Sequence, residues 1–494
     1  MQKINQTKPE EGSLLISTLV FTSLFIVMAG GLLGIIAQQK KLSFVRIARL
    51  HALEIAEAGA NYYKWHLDNF PDDYSDGTGG MGCDPNPPYT CGPFTHDYED
   101  PSGNIIGRFE LHITPPPTGS SIVKIKSTGW TLQEPDITRN IAVRYGRASW
   151  AQFSVVSNSN IRFGAGTEVH GSLHSNGGIR FDGVAYNEVT SALETYEDTD
   201  SDACTGNSWG VHTCLDPADP EPPATTTERL DVFTAGRKYP VPNVDFDSIS
   251  ADLSQMQADA DANGLLLKKS NRQGWHIQFL GNGQLQYRKV RSTGSCTWWN
   301  GAWYSAPRGD ITQYQDNWTI TSLPNNGIIF VEDNAWVDGV LNANFITVVA
   351  AKEPLASENA DIWINNDILY SAKDGTSALG LIAQNNINIG LYSEDDLEIN
   401  AALLAQKGRV GRFYYPSDCS TTYYKRDAIT VYGSIGTANR YGFSWGCEGV
   451  YCSGYNNRNI TFDANLTYSP PPSFPSSGEY TFISWEEILE GESY

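Results

Sequence analysis

Three carboxylates on alternate residues, Asp198, Asp200 and Asp202 in D-T-D-S-D, have the odd-position spacing with which a loop wraps a calcium ion. Asp259, Asp261, Asn263 and Gly264 match the first half of an EF-hand loop in the same way. Both patterns lack the bidentate Glu that completes the shell, since Trp209 and Ser270 stand at the closing positions. A solvated charged loop accounts for the first, and a helix stopped by Gly264 accounts better for the second. The expectation is no cofactor and no metal, with calcium at Asp198, Asp200 and Asp202 as the alternative. His170 and His174 have the spacing of ligands sharing a strand face, but no third ligand accompanies them. Asp361, Asp395 and Asp396 are the carboxylates that glycoside or polysaccharide chemistry would need as a pair. In a chain with 56 acidic and 34 basic residues, net charge -22, acid clusters arise without a catalytic purpose. No P-loop, H-E-x-x-H or local Ser/His/Asp motif is present. The expectation is a non-enzyme, with a membrane-anchored β-helix polysaccharide lyase or glycosidase as the alternative. The same charge argues against a nucleic-acid partner, because phosphate-binding surfaces are basic.

Aromatic residues offer a different chemistry. Trp298, Trp299, Trp303 and Tyr304 cluster near Cys296, and a run from Tyr414 to Tyr455 is rich in Tyr and Trp. Such side chains either fill small stapled loops in place of a core or form a contact surface for a glycan or protein ligand. The eight cysteines are even in number. Cys83 and Cys91, Cys204 and Cys214, and Cys447 and Cys452 each bracket a short loop-like stretch. Elimination leaves Cys296 for Cys419, although spacing does not fix connectivity. No C-x-x-C occurs, so disulfides and an oxidising compartment are expected rather than zinc.

The elements that carry these residues change in texture along the chain. Residues 71–100 read as a loop, and short alternating runs at 106–113, 122–127 and 138–144 read as a small antiparallel sheet. From Ser149 onward, short β-rich runs alternate with Asn, Gly and Ser. Ile161-Arg162-Phe163 recurs as Ile179-Arg180-Phe181, and Leu381-Ile382-Ala383-Gln384 as Leu403-Leu404-Ala405-Gln406, each about 20 residues on. Strand-and-turn repeats of that length predict a parallel β-helix with inward Ile, Leu and Val. Asn158, Asn160, Asn176, Asn365, Asn366, Asn385, Asn386, Asn388 and Asn400 would occupy its corners in left-handed backbone. An insertion interrupts the rungs: the Pro-rich link Leu215–Thr227, a helix over 245–263 with Ile249, Leu253 and Met256 on one face, and a hairpin over 275–290.

At the front end, the run Ser13–Ala37 carries no charge and as a helix spans roughly 38 Å, enough to cross a bilayer. Helix-forming sequence continues to Leu67, with Val45, Ala48, Ala52, Ile55, Ala56 and Gly59 on one face, until Pro71 ends it. One continuous helix of about 55 residues follows, half in lipid and half projecting outward. Lys40, Lys41, Arg46 and Arg49 beyond the run favour the opposite orientation by charge counting, but the cysteines place the body outside the cytoplasm.

The polar leader ending in Gly12, followed at once by the apolar run, resembles the prepilin signal of type IV pilins, and AEAGANYY at 56–63 resembles PilX-type minor pilins. The resemblance implies cleavage between Gly12 and Ser13 by a prepilin peptidase, insertion in the inner membrane, and packing among other pilins or pseudopilins in a type IV pilus-type system. Where pilins have Phe first and Glu fifth after the cut, this chain has Ser13 and Ser17, which removes the carboxylate that pairs with a neighbour's terminal amine and fits a low-copy minor subunit. GSLHSNG at 171–177 and NLTYSPPPSFP at 465–475, with Ser484-Trp485-Glu486-Glu487, resemble an uncharacterised bacterial surface domain often joined to such anchors.

The expected class is α+β, mainly β: a leader (1–12), a transmembrane helix (13–70), a small β-sheet (71–148), first β-helix rungs (149–214), a linker and α+β insertion (215–326), and the main β-helix with C-terminal loops (327–494). The expected function is a minor pilin-like structural or adhesive protein at the cell surface.

Overall fold

The computed structural model describes residues 11–84, 89–117, 120–246, 252–447 and 450–488. The chain divides into two compact units. One takes its residues from the N-terminal stretch through Pro115, from Val123–Tyr145 and from Phe482 onward; the other takes Pro116–Ile122 and Gly146–Thr481. The leader residues 1–10 lie outside the described residues.

The first unit is built on helix α1 (Glu11–Asn69). No proline interrupts it, and it stops just before Pro71. The expected face is the one that buries: Ala48, Ala52, Ile55 and Ala56 are covered, as are Ala60, Tyr63 and Leu67. They meet an antiparallel sheet of Cys91–Glu99, Ile105–Thr114, Ile122–Thr131 and Thr138–Ser149. The strand Ile122–Thr131 alternates covered and half-covered residues along its whole length. Small residues let helix and sheet approach: a Cβ on Gly129 would lie 2.3 Å from the Ala52 carbonyl oxygen, and one on Gly59 would lie 2.7 Å from Phe109.

Two expectations about this unit change. Its first strand, Cys91–Glu99, falls in the stretch read as a loop, because Pro- and Asp-rich composition masks the alternation that starts at the cysteine. The last strand, Ser476–Ile488, expected within the body at 327–494, is the fifth strand here, paired with Thr138–Ser149. It covers what would be an open edge. Arg144 reaches Glu486 at 3.2 Å, and Arg139 pairs with Glu487.

The second unit contains three parallel ladders. The first runs in register through Leu265, Ile329, Val348, Leu381, Leu403, Ile435, Val155, Leu173, Val189 and Arg237. Another runs through Phe279, Gly339, Ile368, Ile399, Val431, Ile460, Val169, Ala185 and Phe233. The remaining one has two parts, Trp275 through Ala335, Ile362 and Ile387 to Val410, and Ile161 through Ile179 to Val211. Both repeated fragments stack on their own copies: Ile161 faces Ile179 and Leu381 faces Leu403.

Alternation sorts the first ladder into two cores. Val155, Ile329, Val348, Leu381, Leu403 and Ile435 pack in the interior. Their neighbours Val156, Phe330, Val349, Ile382 and Leu404 point outward, yet are covered by Leu253, Met256 and Ala260 of helix α2 (Asp252–Asn263) together with Trp150 and Phe474. Strands buried on both faces read as unbroken apolar runs, as in Ala378–Ala383. Gly264 lets α2 end tightly against the sheet, since a Cβ there would sit 2.6 Å from the Ile328 carbonyl oxygen. The expected start at Asp245 is not helical, and residues 247–251, including Ile249, lie outside the described residues.

The stretch 215–326 is less of an insertion than its composition suggests. Arg237–Lys238, Leu265–Leu267 and Gly274–Leu280 are ladder strands. The antiparallel strands Gln284–Trp299, Trp303–Tyr314 and Thr319–Ser322 leave the ladders. The asparagines also act differently from expectation, since none of the nine adopts positive φ. Several of them bond between successive turns instead: Asn176 donates to Asn158 at 2.7 Å, and Asn385, Asn386 and Asn388 all donate to Asp361. Side-chain amides satisfy each other across stacked turns without needing left-handed backbone.

Candidate functional site

The first half of α1 presents an unpartnered apolar surface. From Leu14 to Leu33 its large apolar side chains are exposed on every side, with Phe25 at 73%. An 18-residue stretch of the helix has a mean hydropathy of 2.4, and by length and composition the helix can cross a membrane. The polar groups in the run turn inward on their own helix. Thr18 Oγ1 donates to the Leu14 carbonyl at 3.0 Å, Thr22 Oγ1 to that of Thr18 at 2.8 Å, and Ser23 Oγ to that of Val20 at 2.8 Å. These three hydroxyls are thereby satisfied without lipid. The Gly12–Ser13 junction lies within the helix, which passes through it without a break. Sequence reading passed over Gly30 and Gly34, which have open space around them and the one-turn spacing at which helices approach closely.

The acidic triplet is drawn into a network of arginines. Asp202 takes both ends of the Arg162 guanidinium, at 2.5 and 2.6 Å. Asp200 does the same with Arg440, at 2.5 and 2.8 Å. Asp198 lies 3.5 Å from both Arg180 and His212. Burial alone would push the Asp200 carboxyl up, but the Arg440 guanidinium outweighs it and holds the group below the usual carboxylate range. The counter-charge that a calcium ion would supply thus comes from guanidinium groups of the chain itself. Cys204, His212 and Cys214 also converge, but the two sulfurs are bonded to each other and offer no thiolate.

His170 and His174 are not brought together. His170 ends one strand and stacks on Tyr186 at 4.1 Å, whereas His174 is buried in the next, bonded to Thr190 and Asn176. Asp361 is occupied by its asparagines and Asp395 by Arg426 at 2.9 Å. All four disulfides form: Cys83–Cys91, Cys204–Cys214, Cys296–Cys419 and Cys447–Cys452.

The tryptophan cluster separates into two roles. Trp298 is half-buried, stacked on Tyr304 and packed with Tyr415 and Leu391. Trp299 and Trp303 face each other at the turn of the Gln284–Trp299/Trp303–Tyr314 hairpin, 59% and 74% exposed. In the run from Tyr414 to Tyr455, Tyr415, Tyr441, Phe443 and Tyr455 are buried, which makes them filling rather than surface.

No family model matches the chain, and no curated protein matches it. Among solved structures it is similar to the competence-associated pilin ComZ from Thermus thermophilus, at 12% identity over 90% of this chain and 98% of that one, with a TM-score of 0.27. A TM-score that low carries no conclusion about shared function.

Proposed function

We propose that this chain is a minor pilin-like surface protein, anchored in the inner membrane by α1 and assembled through it with other pilins or pseudopilins of a type IV pilus-type system. The observation that carries the reading is the division of one helix into two chemistries. Its later half is docked on a sheet through small residues, and its earlier half is apolar and uncovered all round. An apolar rod held out in this way needs lipid or similar rods around it. In this reading a prepilin peptidase cuts between Gly12 and Ser13, leaving Ser13 as the first residue of the mature helix. The three in-register parallel ladders form a β-helix that displays the hairpin tip of Trp299 and Trp303 as an adhesive contact in the oxidising exterior, without a catalytic step. N-terminal sequencing of the protein recovered from a host with prepilin peptidase tests the reading. A start at Ser13 supports it, and an intact Met1 removes it.

A further inference from the structure

The body holds a cleft of about 700 Å³, within the range of small-ligand sites. It lies where one ladder is interrupted. Gly411 bridges to Gly442, but among the described residues no backbone pairing joins the segment around Gly442 to Ile161–Phe163, and Tyr441 meets Phe163 only ring to ring, at 5.4 Å.

The lining inverts the charge of the chain. Five arginines stand against three aspartates, Asp182, Asp200 and Asp202, in a protein of net charge -22. Three of the arginines are spent on those aspartates and their neighbour Asp198. The other two, Arg409 and Arg458, have no carboxylate partner among the described residues. Arg458 is buried and gives its donors to Thr167 and to carbonyls on both sides of the gap, including that of Tyr455 at 2.9 Å, so its charge stays uncompensated. Among the described residues the Arg409 guanidinium makes one hydrogen bond, to the Arg412 carbonyl at 3.2 Å. Its guanidinium lies against the Phe413 ring at 5.3 Å and the Trp445 ring at 5.6 Å, which orients its fork while leaving donors unused. Tyr441, 5% exposed, also lines the cleft, and its hydroxyl has no hydrogen-bond partner among the described residues. A ligand completing this site is anionic at Arg409, hydroxylated toward Tyr441 and the remaining lone pairs of Asp200 and Asp202, and flat enough to lie against Trp445.

We propose that the cleft binds an acidic oligosaccharide whose carboxylate sits on Arg409 and whose ring lies against Trp445. The assignment uses only the body and is independent of the anchor.

Calorimetric titration of the full-length protein in detergent tests it, with a galacturonate trisaccharide, a neutral galactose trisaccharide, inorganic phosphate and a glutamate tripeptide as probes. Only the first is expected to bind, with affinity that falls as salt rises. Arg409→Gln and Trp445→Ala each weaken binding by about tenfold or more, and Met81→Ala leaves it unchanged. Should a cleft variant fail to melt cooperatively, the comparison of probes on the unaltered protein decides. Equal binding of the neutral trisaccharide, binding of phosphate or peptide in its place, or no galacturonate binding at millimolar concentration overturns the proposal, whatever residue begins the mature chain.

Discussion

Ile435 stands in parallel register beside Val155, so strands from the two ends of the body are direct neighbours. The strand Lys425–Thr437 joins Asp396–Ala405 on one side to Val155–Ser157 on the other. The stretch from Val155 to Lys238 is therefore joined to the ladders through strands made near the end of the chain, at Ile435–Val155 and at Ile460–Val169. Ile435→Ala removes a fully buried side chain and is expected to cost about 2–5 kcal/mol. Amide exchange should quicken at Val155–Ser157 and Leu173–Ser175 as well as at Ile435. Acceleration confined to the strand of the mutation would contradict a single coupled stack.

Cys296–Cys419 closes a separation of 123 residues, and Cys447–Cys452 one of 5. In the chain-entropy model the first stabilises by about 5 kcal/mol and the second by about 2. Replacing Cys296 and Cys419 together by Ser should lower the melting temperature markedly more than the same change at Cys447 and Cys452. Equal losses would mean that the long link constrains the unfolded chain no more than the short one.

Gly129 is where the small sheet touches the backbone of α1. A side chain there meets the Ala52 carbonyl and the Ala56 amide at 2.3 and 2.4 Å. Gly129→Val forces helix and strand apart and should destabilise the first unit by about 1–3 kcal/mol or more. Protease sensitivity near Ala52–Gly59 should rise. A variant as resistant as the wild type would show that this approach is not a packing constraint.

Acidification should weaken the body. Burial alone would raise Asp338, but the His276 imidazole at 2.8 Å and the Asn366 amide at 3.0 Å outweigh it, and the folded carboxyl titrates below its ordinary range. Asp198 and Asp200 are likewise depressed, against burial, by His212 and Arg440 respectively. The folded chain then binds fewer protons than the unfolded chain as pH drops. The contribution is complete above about pH 4 and is lost as pH falls through the depressed folded values. Melting temperatures should be level from pH 6 to 5 and decline below 4, and Asp338→Asn should flatten the decline. A curve unchanged by that substitution would assign the acid loss elsewhere.

Much of this architecture was readable from neighbouring residues. The uncharged run from Ser13, the face of Ala52, Ile55 and Ala56, the local cysteine pairs and the two repeated fragments all follow from composition and period, which nearby side chains determine among themselves. The candidate site was legible only in part. Asp198, Asp200 and Asp202 were visible as a cluster, but Arg440 and Arg162, which neutralise them, come from segments far apart in sequence. Trp299 and Trp303 were grouped with Trp298, and only packing against Tyr415 and Leu391 separates the filler from the exposed pair.

By itself the sequence determined the long helix, most of the short strands and which of their faces are apolar, while the strand Cys91–Glu99 was hidden in loop-like composition. The tertiary structure alone decided their order in space: that Val155 follows Ile435, that Ser476–Ile488 leaves the body for the small sheet, and that Arg409 remains without an acid. The physical reason is that ladder hydrogen bonds join backbone groups common to every residue. A strand's own side chains say which face it buries, but the identity of its neighbour follows only from how the whole stack closes.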